Sequence, residues 1–356
     1  MLRILAGLTL ALLPAALAAQ TYPSAQLHGF ARWGVGRTDG NAYEELTRKV
    51  DAGAAALALN LNVSLLRQLA AVAQVEGHAA DEREVELDFA FGEWSFGSAL
   101  AIRAGRVKQP FGIATEVFDV GTLRPFFNLP QAVYGPQGFV SEGYDGAGVT
   151  GTLPLRGGWS LQYDAYGGQL RRPEAESHEQ VAGEDEEEGE EVELARELVG
   201  GRLLLESEHG ISVGASAYTG RNRERARIVT TGVQGQWHHG RVGVQSEVMH
   251  QAEGDEETET GAYLETTVKL THRLQAATEL SWLRTRYEGE SELPELDDQA
   301  LRHRELALGL NYWFSSDLVL KGSYHHVRGR RITSAVEGEV PRARTNAVML
   351  SLSLAF

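Results

Sequence analysis

Apolar and polar residues alternate with a period of two along nearly the whole chain, and helical spacing is hard to find. Leu57, Leu59, Leu61 and Val63 interleave with Ala58, Asn60 and Asn62, and Val85, Leu87, Phe89 and Phe91 with Glu84, Glu86, Asp88 and Ala90. Leu264, Thr266, Val268 and Leu270 alternate with Glu265, Thr267 and Lys269. Leu306, Leu308, Leu310, Tyr312 and Phe314 alternate with Glu305, Gly309 and Asn311. Successive side chains of a strand point to opposite faces, so each segment predicts a strand with one apolar and one polar face. About sixteen segments pass this test. They lie near 25-37, 52-64, 68-77, 83-94, 98-107, 145-154, 158-168, 198-207, 211-220, 227-238, 241-251, 260-271, 274-287, 303-314, 317-328 and 343-356.

The links between the segments alternate too. Leu65-Leu66-Arg67, Ser95-Phe96-Gly97, Leu155-Arg156-Gly157, Glu208-His209-Gly210, His239-Gly240, His272-Arg273 and Ser315-Ser316 follow even-numbered segments and are tight turns. Odd-numbered segments are followed by longer polar links, the largest being 38-51, 108-144, 169-197, 288-302 and 329-342. Strict alternation of short and long links is expected of a transmembrane antiparallel β-barrel with short periplasmic turns and long outer loops. A sheet in lipid must close so that no edge N–H or C=O is stranded in hydrocarbon, and about ten residues per strand suffice to cross.

Composition changes this picture less than it first suggests. The 356 residues carry a net charge of -16 and no Cys, which excludes a disulfide scaffold and a Cys-based metal site. With 33 Lys+Arg against 49 Asp+Glu, the chain lacks the basic balance of a nucleic-acid binder. The low mean hydropathy of -0.26 fits a barrel in which half of each strand faces water. Met1 to Ala18 has a positive start, an apolar stretch and the small-x-small Ala16-Leu17-Ala18, the pattern of a secretory signal peptide. A short membrane anchor is the alternative there; residues 19-356 are read as one barrel domain.

Residues 108-144, the third outer loop, are the longest and least polar link. They run from Lys108-Gln109-Pro110-Phe111-Gly112 through Arg124-Pro125-Phe126-Phe127-Asn128-Leu129-Pro130 to Glu142-Gly143-Tyr144. A loop this apolar should pack against something. Together with the signal peptide, the strand count, the loop alternation and a final strand ending in Phe356, this resembles the sixteen-stranded bacterial outer-membrane porins. The Gly105 to Gly112 and Arg124 to Gly135 segments are similar to third-loop regions of that family. The resemblance implies a third loop folded into the lumen, a homotrimer, and a location in the outer membrane among lipid and lipopolysaccharide. Phe356 resembles the signal read by the barrel-assembly machinery. The short acidic tip motif of the best-known general porins is missing from the loop.

By role, Glu116, Asp119, Arg124, Glu142 and Asp145, with Arg103, Arg106 and Lys108, are the candidates for the pore constriction, where charged rings set selectivity. Asp119 and Asp145 also suit turns. Lumen-lining candidates are Glu86, Asp88, Asp164, Glu206, Glu247, Glu265, Glu279 and Glu305, against the basic Arg32, Arg103, Arg202, Lys269 and Lys321. That excess of acid predicts a weak preference for cations. In 169-197, Glu184 to Glu193 is almost all acidic and reads as a solvated loop, with divalent-ion binding as the alternative. Trp94, Trp159, Trp237, Tyr312, Phe314 and Phe356 at the periplasmic ends, and Tyr218, Tyr263, Trp282 and Tyr287 at the outer ends, read as interfacial girdles. Gly29, Ala31, Ala55, Ala71 and Ala73 would let barrels pack closely.

No cofactor is implied. The eleven His are scattered, and His238-His239 and His325-His326 each split between two strand faces, so an enzyme is set aside. A plugged, energised transporter would need an extra domain before the first strand, where only a few residues are expected. The expected function is passive diffusion of small hydrophilic solutes and ions. A channel specific for phosphate, a sugar or a small acid is the rival, because Arg103, Arg106, Lys108 and Arg124 could serve an anion.

Overall fold

The computed structural model describes residues 22-356 apart from 45, 51-54, 80-82, 136-138, 142, 173-191, 223-224, 255-256, 288-297 and 335-339. The expected signal peptide and most of the acidic run lie outside the described residues. The first eight strands are β1 Ser24–Thr38, β2 Ala55–Ser64, β3 Leu69–Ala79, β4 Arg83–Ser95, β5 Ala101–Lys108, β6 Gly143–Pro154, β7 Trp159–Arg172 and β8 Val192–Ser207. They are followed by β9 Ile211–Arg221, β10 Arg227–His239, β11 Val242–Glu253, β12 Glu257–Lys269, β13 Leu274–Tyr287, β14 Arg302–Trp313, β15 Leu318–Gly329 and β16 Arg344–Ala355. Each pairs antiparallel with the next, and β16 returns to β1, closing the barrel.

The two-residue period dictates the walls. Leu57, Leu264, Leu280, Leu308 and Leu350 face outward and are exposed, forming an apolar belt. Arg202, Glu247, Glu279, Glu305 and Lys321 on the opposite faces are buried inside. At the closing seam Phe356 N–H donates to Gly29 O at 2.9 Å and Gly29 N–H to Phe356 O at 2.8 Å. The turns after even-numbered strands are tight; in the link after β10, Gly240 has φ +58°, a conformation that suits glycine.

Three expectations about the walls are corrected. Strands β7 and β8 extend to Arg172 and from Val192, so the fourth outer loop is shorter than 169-197. Register shifts at Gly168/Leu170 and Arg196/Val199 blur the alternation there. Between β3 and β4, Gln74 opposes Phe89 while Val75 opposes Leu87, leaving Asp88 as an extra residue in β4. This bulge swaps the faces beyond it. Phe89 therefore turns into the lumen, 8% exposed, instead of continuing the outward row of Val85 and Leu87. Tyr218 and Tyr263 are buried inside the barrel rather than in the outer aromatic girdle.

The core of the molecule lies inside the barrel. Between β5 and β6 the third loop folds inward through two 3-10 turns, Thr115–Val117 and Gly121–Leu123, and a one-turn helix, α1 Gln131–Tyr134. Its Phe111, Leu129, Val133 and Phe139 are buried with the wall residues Tyr166, Tyr218, Met249 and Tyr263. At Gly261 of β12 a Cβ would come within 2.2 Å of Ala132 O and 2.6 Å of the Phe139 ring, so only glycine lets loop and wall approach this closely. The first outer loop also turns inward, burying Tyr43 and Leu46 against Phe127, Val327, Ala347 and Met349.

Candidate pore constriction

Four wall residues fasten the third loop. Glu247 of β11 accepts hydrogen bonds from Tyr134 Oη, from Tyr263 Oη at 2.7 Å and from Ile113 N–H at 2.8 Å. Lys321 of β15 donates its ammonium to the carbonyls of Gly121, Arg124 and Phe126. Asn311 Nδ2 donates to Pro125 O at 2.9 Å, and Tyr218 Oη to Phe139 O at 2.7 Å. The loop thereby runs around the inside of the barrel, meeting β11 at Ile113, β16 and β15 at Gly121, β14 at Pro125, β12 through α1 and β9 at Phe139. Burial raises the Tyr134 hydroxyl well above its ordinary pKa, and neighbouring Glu247 adds to the rise.

The charges form two groups. On one side Arg202 Nη2 lies 2.6 Å from Glu116 and 3.0 Å from Asp164, and Arg103 lies 2.8 Å from Glu93 and 3.8 Å from Glu116. On the other, Lys108 Nζ lies 2.8 Å from Asp88 and 3.1 Å from Asp119, and Arg32 reaches Glu76 at 3.8 Å. Gln74 Nε2 donates to both Asp88 and Asp119. Burial raises the Asp119 carboxyl, but Lys108 outweighs this and holds it at about 2. Arg124, packed under the loop beside Arg32, is pushed down to about 9, chiefly by burial. The carboxylates of Glu76, Asp88 and Asp119 lie within 4.8 Å of one another, as a metal site requires, but Lys108 already supplies a cation among them.

Of the expected constriction residues, Glu116, Asp119, Arg103 and Lys108 meet in these groups, and Arg124 is present but buried. The side chains of Glu116, Glu93 and Arg103 keep the most contact with water, at 34%, 28% and 27% exposure. Arg106 and Asp145 are corrected. Tyr144 points into the lumen, so Asp145, the next residue of β6, points outward and pairs there with Arg106 at 3.2 Å. Arg106 also donates to Leu87 O at 2.9 Å, beside the bulge. Glu142 lies outside the described residues. Among the expected lining residues, Arg32, Glu86, Asp88, Asp164, Arg202 and Glu206 face inward, and Lys269 is exposed near the end of β12. Glu247, Glu265, Glu279, Glu305 and Lys321 are on the inner wall but roofed by the loops instead of bathed by pore water.

Sequence reasoning missed Gln74, Glu76 and Glu93 and the first-loop cluster. There, Tyr43 Oη donates to Glu305 at 2.6 Å, His325 Nδ1 lies 2.6 Å from the same carboxylate, and Ser323 Oγ lies 2.9 Å from His325 Nε2. Only the strand parity of Ser323 and His325, two residues apart, hinted at this. The relay resembles a hydrolytic triad in its contacts. It lies mid-strand in a closed sheet, where the ladders on both sides take the backbone N–H groups an oxyanion would need.

No family model and no curated protein sequence matches the chain. Solved structures do. The trimer form of OmpT from Vibrio cholerae aligns with 94% of this chain and 99% of its own, at TM-score 0.59 and 13% identity. The outer-membrane channel DcaP of Acinetobacter baumannii aligns over 96% and 100%, at 0.61 and 10%. An anion-selective porin from Comamonas acidovorans aligns over 94% and 100%, at 0.60 and 11%. The chain has the outer-membrane porin fold. At such identities the likeness is one of architecture, and it covers the porin fold from end to end. The third loop, folded inward on its own wall anchors, is therefore carried by a barrel of known type.

Proposed function

We propose that this chain is a porin of the bacterial outer membrane, a water-filled channel for passive diffusion of small hydrophilic solutes and ions, and not an enzyme. The observation that carries this reading is a closed sixteen-stranded barrel whose long third loop lies in the lumen and brings Glu116 against Arg103 and Arg202. A weak cation preference is supported by the charges in contact with water, where two carboxylates, Glu93 and Glu116, accompany one guanidinium, Arg103. In reconstituted bilayers under a salt gradient, the reversal potential should take the cation-preferring sign; clear anion preference would reverse this part of the reading, and absence of conductance would remove all of it.

A second reading, a channel specific for phosphate, a sugar or a small acid, is favoured by the interleaving of Arg103, Glu116 and Arg202 along one narrow wall. Liposome swelling separates the two: a general porin sorts solutes by size, whereas a specific channel is blocked by its own substrate. The homotrimer is supported by the trimer form among the similar structures and by the small outward residues Ala31, Ala71 and Ala73; native electrophoresis tests it. Phe356, closing the seam at Gly29 with its ring exposed, suits a role as the assembly signal.

A further inference from the structure

Arg124 is a buried cation whose donors are only partly met. It is 6% exposed, and its Nη1 donates to Phe118 O at 3.2 Å. Its Nε and Nη2 are closed to water, and among the described residues neither has a hydrogen-bond partner. These two atoms share one edge of the guanidinium, whose parallel N–H groups form a side-on fork for two oxygens carried on one centre. The chain is fastened on both sides of that edge: Lys321 donates to the carbonyls of Gly121, Arg124 and Phe126, and Asn311 to Pro125 O. A buried donor without an acceptor is costly, and a buried charge without a partner more so. A fold that ties down the loop at Arg124 therefore calls for an acceptor on its fork.

The surroundings define the acceptor. Two further cations, Arg32 and Lys321, lie within electrostatic reach of Arg124. Arg32 is itself loosely held, its Nη2 3.8 Å from Glu76, beyond hydrogen-bond length, and its guanidinium over the Phe127 ring at 5.5 Å. The carboxylates that face Arg124 are Asp119, Glu76 and Glu44. Asp119 is taken by Lys108 at 3.1 Å and by Gln74 at 2.6 Å, Glu76 lies between Arg32 and His78, and Glu44 is hydrogen-bonded to Asn128 and Tyr43. None of the three bonds to the fork. A water molecule brings one oxygen and no charge. A carboxylate or an orthophosphate brings two oxygens that match the fork, together with the opposite charge. Whereas Arg103 and Glu116 keep contact with water, Arg124 lies beneath the loop, so an anion here belongs to the contact between loop and wall and not to the permeating ions.

We propose that Arg124 holds a small oxyanion, a carboxylate or an orthophosphate, on its Nε–Nη2 edge beneath the third loop, with Arg32 as the second cation, and that this anion is a resident part of the loop's attachment to the wall. Its test needs no conductance, so the site holds or fails independently of the channel reading. The full chain in detergent, first exchanged into chloride, is dialysed to equilibrium against radiolabelled acetate and, separately, radiolabelled orthophosphate at fixed ionic strength. Saturable binding of one oxyanion per chain, undisturbed by excess chloride, is the expected result; acetate alone identifies a carboxylate site, orthophosphate alone a phosphate site, and both together the shared chemistry. Binding should fall at least tenfold in Arg124→Gln and in Arg124→Lys, which keeps the charge but not the fork, and stay unchanged in Arg241→Gln at the turn after β10. Heat-modifiable migration in SDS shows whether each variant folds. If neither Arg124 variant does, the wild-type chain decides by displacement: unlabelled oxyanion must compete and chloride must not. Binding of neither anion, displacement by chloride as readily as by the unlabelled oxyanion, or unchanged binding by a folded Arg124 variant would overturn the proposal.

Discussion

Glu247 shows how one side chain governs the loop. Its carboxylate collects two tyrosine hydroxyls and the Ile113 N–H in a site closed to water. Replacing it by Leu leaves the two hydroxyls without their acceptor, while the Ile113 N–H keeps Tyr134 Oη at 3.0 Å, at about 1–3 kcal/mol for each buried group left unsatisfied. Glu247→Leu should therefore lower the unfolding midpoint and make single-channel current noisier, while Glu247→Gln, which keeps one acceptor oxygen, should lose about 1 kcal/mol. Arg202 is the counterpart on the charged side, facing Glu116 and Asp164. Arg202→Met should cost about 3–5 kcal/mol by stranding a buried carboxylate, read as a shift in the denaturation midpoint. Gly261 acts through the space it leaves. Gly261→Val would drive a side chain into Ala132 O and Phe139 and push the loop off the wall, changing conductance more than barrel stability.

At the scale of elements, the first outer loop is a second insert in the lumen, and its docking should depend on pH. Burial raises the Glu44 carboxyl to about 7; His325 facing it pulls the other way, Glu305 adds to the rise, and Asn128 and Tyr43 hydrogen-bond to it. A carboxyl whose docked pKa lies above its ordinary 4.5 stabilises the docked loop most at low pH, and this contribution is lost as pH rises through about 7. Conductance should therefore increase between about pH 5 and pH 8 as the loop loosens, and Glu44→Gln should flatten the profile; a variant with the wild-type profile would refute the link. Asp119 behaves in the opposite sense. Held at about 2 by Lys108, its contribution is present above its ordinary 3.8 and is lost only as pH falls through about 2. The third loop should stay tied to the wall in acid that leaves most carboxylates protonated.

For the whole molecule, the alternation of Leu306, Leu308 and Leu310 with Glu305, Ala307 and Gly309, and of short with long links, was enough to read a membrane barrel of sixteen strands. Lipid outside and loops or water inside impose a two-residue period on every strand, so the pattern is written locally. The apolar third loop was legible for the same reason: Phe111, Phe126 and Phe127 need cover, and the lumen is the cover nearest to hand. The charged site was only half legible. Asp88 and Asp145 were both read as pore residues; Asp88 does face inward, but the parity of β6 sends Asp145 out toward Arg106, and one extra residue in β4 turns Phe89 into the lumen. Bulges and strand starts cost no composition and leave no local mark. Nor does a sequence say which wall positions a loop will roof, since Glu279 and Glu305 look identical to pore-lining carboxylates until Tyr43 and Phe126 are laid over them. Sequence by itself determined the closed barrel with its sixteen strands and marked the third loop as one that must pack against something, because these follow from which solvent each residue meets. Tertiary structure alone decided which charges pair, which still touch water and which guanidinium is buried beneath the loop, because those depend on register and packing between segments far apart in the chain.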